Sequence, residues 1–92
     1  MKSPDRETVS RLDQLPNIGK AIARDLAKIN ITHPRQLIGQ DAFELHKQLC
    51  EQLGWRQDYC VIDVYLSAID YMEGGEAKPW WFYTRQRKEQ MS

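Results

Sequence analysis

The chain has 92 residues, 41% hydrophobic and 28% charged, which suits one domain with a modest core and excludes a disordered tail. No apolar run approaches the ~20 residues that span a bilayer, and the opening stretch MKSPDRETVS lacks the apolar segment of a secretory signal, so a cytoplasmic location is expected. The formal net charge is zero, but seven basic and four acidic side chains stand in residues 1–40, three and eight in 41–84, and three and one in 85–92; a nucleic acid would meet the N-terminal half.

Ser3-Pro4-Asp5 reads as a helix start, with a serine cap, proline in the first turn and an acidic residue near the positive dipole end. Val9 and Leu12 give that first helix its apolar face, and Pro16 ends it by Leu15 because a residue before proline avoids the α conformation. A second helix is expected from Ile18 to about Asn30. Ile18, Ile22, Leu26 and Ile29 share one face, and Ala23 and Ala27 let another helix approach closely. Thr32 is the expected cap of a short turn over Pro34 to Ile38, which Gly39 ends.

Asp41 and Glu44 have capping-box spacing at the start of the next helix. Phe43, Leu45, Leu49, Cys50 and Leu53 supply its buried side, and Gly54 closes it. Asp58 caps a helix from Tyr59 to about Glu73 that is apolar on nearly every side, the mark of a central element. Its narrow polar stripe, Asp63, Ser67 and Asp70, reads as a solvated face. Gly74-Gly75 ends it, Pro79-Trp80-Trp81-Phe82-Tyr83 folds back over the core, and the polar run 85–92 is expected to fray. No strand-like alternation occurs. The expected fold is all-α: a single compact domain, residues 1–84, of about five short helices, with the aromatic tail packed on it.

The stretch LPNIGKAIARDL carries the strongest functional signal. Two helices joined by a tight hairpin, with apolar inner faces, form a helix-hairpin-helix. Asn17 and Gly19 tolerate the turn's backbone angles. The unpaired amides of Ile18, Gly19 and Lys20 at the second helix's start suit a phosphate oxygen, with Lys20 and Arg24 flanking it and Lys28 one turn further. Such a contact reads the DNA backbone and not the bases. The alternative is a plain turn between helices with a solvated row of cations.

His46, Cys50 and Cys60 are weaker candidates for a metal site. His46 and Cys50 share a helix face, but no C-x-x-C pair exists and Asp63 is the nearest fourth ligand. Core packing of two reduced thiols is the simpler reading, and no cofactor is expected. Asp63 and Asp70 lie about 10 Å apart along their helix, too far for shared acid–base work. With no nucleophile–base pairing or phosphate-binding loop, no enzyme is expected.

The order L-x-x-L-P-N-I-G-K-x-I-A-x-D-L resembles the helix-hairpin-helix of DNA repair and recombination proteins. Together with D-A-F-E-L-H-K-Q-L-C, D-Y-C-V-I-D-V-Y and P-W-W-F-Y-T-R-Q-R-K, it resembles the pathogenicity-locus family of small bacterial helix-hairpin-helix proteins, often labelled mitomycin-resistance proteins, over roughly residues 10–88. The resemblance implies an all-α fold related to DNA-binding modules. The wider class has glycine where this chain has Asn17. The expected partner is therefore DNA, held weakly at Asn17, Ile18, Gly19, Lys20, Arg24 and Lys28, with a homodimer or a second DNA-binding partner supplying affinity. The alternative is a protein-interaction adaptor that docks through the acidic C-terminal half or the aromatic tail.

Overall fold

A computed structural model describes residues 7–91. The expected cap at Ser3-Pro4-Asp5 lies outside them. Among the described residues the chain is all-helical, with four α-helices, three short 3-10 turns and no strand. The helices are α1 (Lys20–Lys28), α2 (Ala42–Leu53), α3 (Cys60–Met72) and α4 (Thr84–Met91).

Within the described residues the expected first helix is a single 3-10 turn, Leu12–Gln14. The Gln14 amide oxygen accepts from the backbone N–H of Ser10 and Arg11 at 2.9 and 3.0 Å, which caps so short an element. Val9, Leu12 and Leu15 are buried despite the missing helix, so the apolar pattern held where its period did not. Leu15 is extended, at ψ 154°, as a residue before proline should be.

α1 starts at Lys20, two residues later than expected, and buries Leu26. The turn over Pro34–Leu37 is capped by His33, one residue after the expected Thr32; its side chain accepts from the amide of Arg35 at 3.1 Å. In α2, Asp41 accepts from the amides of Phe43 and Glu44, and Gly54 closes the helix in the left-handed region at φ 80°. Asp58 accepts from the amide of Cys60 at 2.9 Å, and this bond holds its carboxyl below the usual carboxylate range.

α3 is the hub. It packs against α2, the 3-10 turns Pro34–Leu37 and Trp80–Tyr83, and α4. Ile62, Val64, Tyr65, Ala68, Ile69, Tyr71 and Met72 are all buried along it. A helix nearly apolar all round has to sit where neighbours cover every side.

The polar stripe of α3 corrects the sequence reading. Asp63 and Ser67 are fully buried, not solvated, and Asp70 is partly covered. Asp63 accepts from Thr84 Oγ1–H and from Arg87 Nε–H, both at 2.7 Å. Asp70 accepts from the Tyr83 hydroxyl at 2.6 Å. A buried carboxylate is tolerable only with such partners. They come from the C-terminal segment, where Thr84–Met91 form α4 and Arg87 is anchored against Asp63; among the described residues the run expected to fray is helical.

The aromatic tail divides. Trp80 packs against the core and Tyr83 is buried, while Trp81 and Phe82 stay 64% and 59% exposed.

Candidate nucleic-acid interface

The turn expected to be the hairpin runs from Leu15 to Gly19, between the 3-10 turn Leu12–Gln14 and α1. Asn17 adopts the left-handed conformation at φ 66°, and the amide of Ile18 donates back to the Leu15 carbonyl at 3.3 Å. Ile18 is thereby buried, and its amide is used inside the turn rather than open to a phosphate. Gly19 is the cap of α1, and its carbonyl accepts the first helical bond, from Ala23, at 3.0 Å. Among the described residues, no acceptor serves the amides of Gly19, Lys20, Ala21 or Ile22. The open amides therefore run from Gly19 onward, one residue later than the expected set.

Gly19 has ordinary extended backbone angles, φ −92° and ψ −174°, and an added Cβ would meet nothing within 4 Å. Neither strain nor packing requires glycine here. What its bare Cα leaves is clear approach from solvent to the helix start.

Asn17 supplies the turn's left-handed residue, and its side chain is engaged within the protein. Its Nδ2 donates to Ser67 Oγ at 2.9 Å and to the Lys78 carbonyl at 2.8 Å. Ser67 Oγ–H donates to the same carbonyl at 2.7 Å. The trio joins the hairpin, α3 and the start of the aromatic turn. Glycine would satisfy φ 66° but could not make the two side-chain bonds. Sequence reading identified Asn17 as a turn residue and missed this linkage. The available signal was α3 itself, since a central helix buries its polar stripe too and demands partners for it.

Lys20 and Arg24 lie exposed on α1, and neither has a carboxylate within ion-pair distance among the described residues. Lys28 differs: its Nζ lies 3.6 Å from Asp25 Oδ1, one turn back on α1. The expected row of three cations is thus two free ones beside the open amides and a third partly neutralised. The helix dipole adds positive potential where the free cations stand.

His46 and Cys50 serve local structure. His46 Nε2–H donates to the Gln57 carbonyl at 3.0 Å, and the Gln57 amide donates to Cys50 Sγ at 3.2 Å. Together they fasten the loop after α2. Burial pushes the Cys60 thiol up, as does the neighbouring Asp58. Among the described residues, no group of three or more His, Cys, Asp or Glu side chains has metal-holding geometry. No helix among them is long and apolar enough to cross a membrane.

Residues 5–89 match the model of the family described as Cdd1, pathogenicity locus. The chain is similar to "Mitomycin resistance protein McrB" of Streptomyces lavendulae, with 42% identity over 79 residues, covering 86% of this chain and 75% of that protein. No solved structure matches. The family model spans the turn before α1, the hub helix and the aromatic turn, and the chain belongs to the pathogenicity locus family.

Proposed function

We propose that this protein is a non-catalytic, sequence-independent DNA-binding module. The turn Leu12–Gln14, the hairpin and α1 act as a helix-hairpin-helix whose first helix, within the described residues, is shortened to one turn. The observation that carries the reading is the run of open amides from Gly19 to Ile22 beside two unpaired cations, Lys20 and Arg24. One phosphate oxygen sits at the amides and the cations hold its neighbours. The Streptomyces lavendulae relative is named for mitomycin resistance, which supports a role in resistance.

A single hairpin reaches two or three phosphates, so the log–log salt slope should be about −2 to −3. The test is fluorescence anisotropy of labelled duplex DNA at low salt, comparing wild type with Lys20→Glu/Arg24→Glu. The variant should lose measurable binding. Equal binding by the two proteins would refute the reading.

An adaptor reading draws on Trp55, which stands 65% exposed on the loop between α2 and α3. Charge reversal on α1 would leave partner binding through that loop unchanged.

A further inference from the structure

The turn Trp80–Tyr83 exposes two adjacent rings, Trp81 and Phe82, on ordered backbone. Its outer members are anchored. Trp80 packs on the core, and Tyr83 is buried with its hydroxyl bonded to Asp70. Each exposed ring is braced by an anchored one: Trp81 stands 84° to Trp80 at 5.7 Å, and Phe82 stands 73° to Tyr83 at 5.3 Å. Rings held this way keep open surface in water without collapsing onto the core.

The sequence that carries them is locally basic, while in space Asp41, Asp70 and Glu73 line the cleft that Phe82 shares with Lys78. Residues 77–88 contain four basic and no acidic side chains, of which Arg85 pairs with Glu89 at 3.0 Å. The acidic excess of the C-terminal half lies wholly before Lys78. Arg87 is committed to Asp63, but Lys78 Nζ lies 4.4 Å over the Phe82 ring, which places a cation at the platform itself. The turn is also tied to the hairpin, because the Lys78 carbonyl is the common acceptor of Asn17 and Ser67. Cations interleaved with open aromatic rings complement a strand whose bases are unpaired: phosphates meet the cations, and base faces meet the rings.

We propose that Trp81 and Phe82 are a base-stacking platform and that the nucleic acid this protein holds is single-stranded DNA. The proposal rests on the hairpin reading for the backbone contact and adds the base contact. Asn17 then links two parts of one site, the phosphate-binding hairpin and the platform.

The test uses the full chain, an oligothymidylate of about 20 nucleotides and a blunt duplex of the same length. Wild type should bind the single strand more tightly than the duplex. Trp81→Ala and Phe82→Ala should each weaken single-strand binding about fivefold or more while leaving duplex binding nearly unchanged. Both side chains are exposed, so the fold should survive, which circular dichroism checks. Tryptophan emission should be quenched by the oligothymidylate in wild type, and most of that quenching should vanish in Trp81→Ala. Equal single-strand affinity in wild type and both variants, including no binding by any, would overturn the proposal and leave the rings to a protein partner. Equal losses on single strand and duplex would overturn it too. Lys20→Glu/Arg24→Glu separates the two ideas: if that variant binds both DNAs like wild type, the hairpin reading fails, while the Trp81 and Phe82 arms still decide the platform.

Discussion

Replacing Asn17 by glycine separates the two roles of that residue. The backbone role, φ 66°, passes to glycine at no cost, and relief of the left-handed conformation returns at most about 1 kcal/mol. The side-chain role is lost: two partly buried hydrogen bonds, at 2.9 and 2.8 Å, each worth about 0.5–1.5 kcal/mol net. The Lys78 carbonyl keeps its bond from Ser67, so no buried acceptor is orphaned. The balance is a destabilisation of about 1–2 kcal/mol, or a fall in Tm of roughly 5–15 °C for a domain this size. Asn17→Ala loses the same bonds and forces a Cβ into the left-handed region, so it should cost about 2–4 kcal/mol. Urea unfolding with an unchanged m value is the assay. A double-mutant cycle with Ser67→Ala should return a coupling of about 0.5–1.5 kcal/mol. If Asn17→Gly proved as stable as wild type, the link between hairpin, α3 and aromatic turn would contribute nothing and this reasoning would be wrong.

Further outcomes follow from the buried polar groups of α3. Arg87→Met strips the cation from a fully buried Asp63, leaving it only the Thr84 hydroxyl; a loss of about 3–5 kcal/mol by urea unfolding is expected, and a loss below 1 kcal/mol would show that Asp63 finds water. Tyr65 and Tyr83 should differ on losing their hydroxyls. Among the described residues the buried Tyr65 hydroxyl has no partner, so Tyr65→Phe should be neutral or stabilising, whereas Tyr83→Phe breaks the bond to Asp70 and should cost about 1–2 kcal/mol. Burial pushes both phenols well above their ordinary value, and for Tyr83 the Asp70 carboxylate adds to it. A raised folded pKa means stability that is intact below about pH 10 and declines as pH climbs beyond it. In an alkaline titration followed by phenolate absorbance, these two tyrosines should ionise only as the domain unfolds, and normal titration by both would contradict the burial.

Much of the fold was legible because local physics decided it. The spacing of Ile18, Ile22, Leu26 and Ile29 marked the inward side of α1 and its two flanks, where all but the half-buried Ile22 are buried; Asp41 and Gly54 marked the ends of α2, and the near-continuous apolar surface of α3 marked the hub. Three features were not legible, each for a non-local reason. The stripe Asp63, Ser67 and Asp70 looks solvated until Asn17, Tyr83, Thr84 and Arg87 arrive from far along the chain. The run 85–92 has no apolar face of its own; one buried ion pair anchors α4. Asn17 reads as a glycine substitute because its two bonds reach residues 50 and 61 positions away. At the candidate site, Lys20 and Arg24 were legible from composition, while the engagement of the Ile18 amide within the turn depended on backbone geometry that spacing does not encode.

The central claim is that open amides at the start of α1 hold a backbone phosphate. Amide chemical shifts of isotopically labelled protein, followed through a titration with DNA at low salt, test it most directly. The account predicts that the largest shifts fall on Gly19, Lys20 and Ala21, shrink as salt is added, and spare the acidic surface of α2. Shifts that leave those three amides in place, while DNA binds elsewhere or not at all, would contradict it.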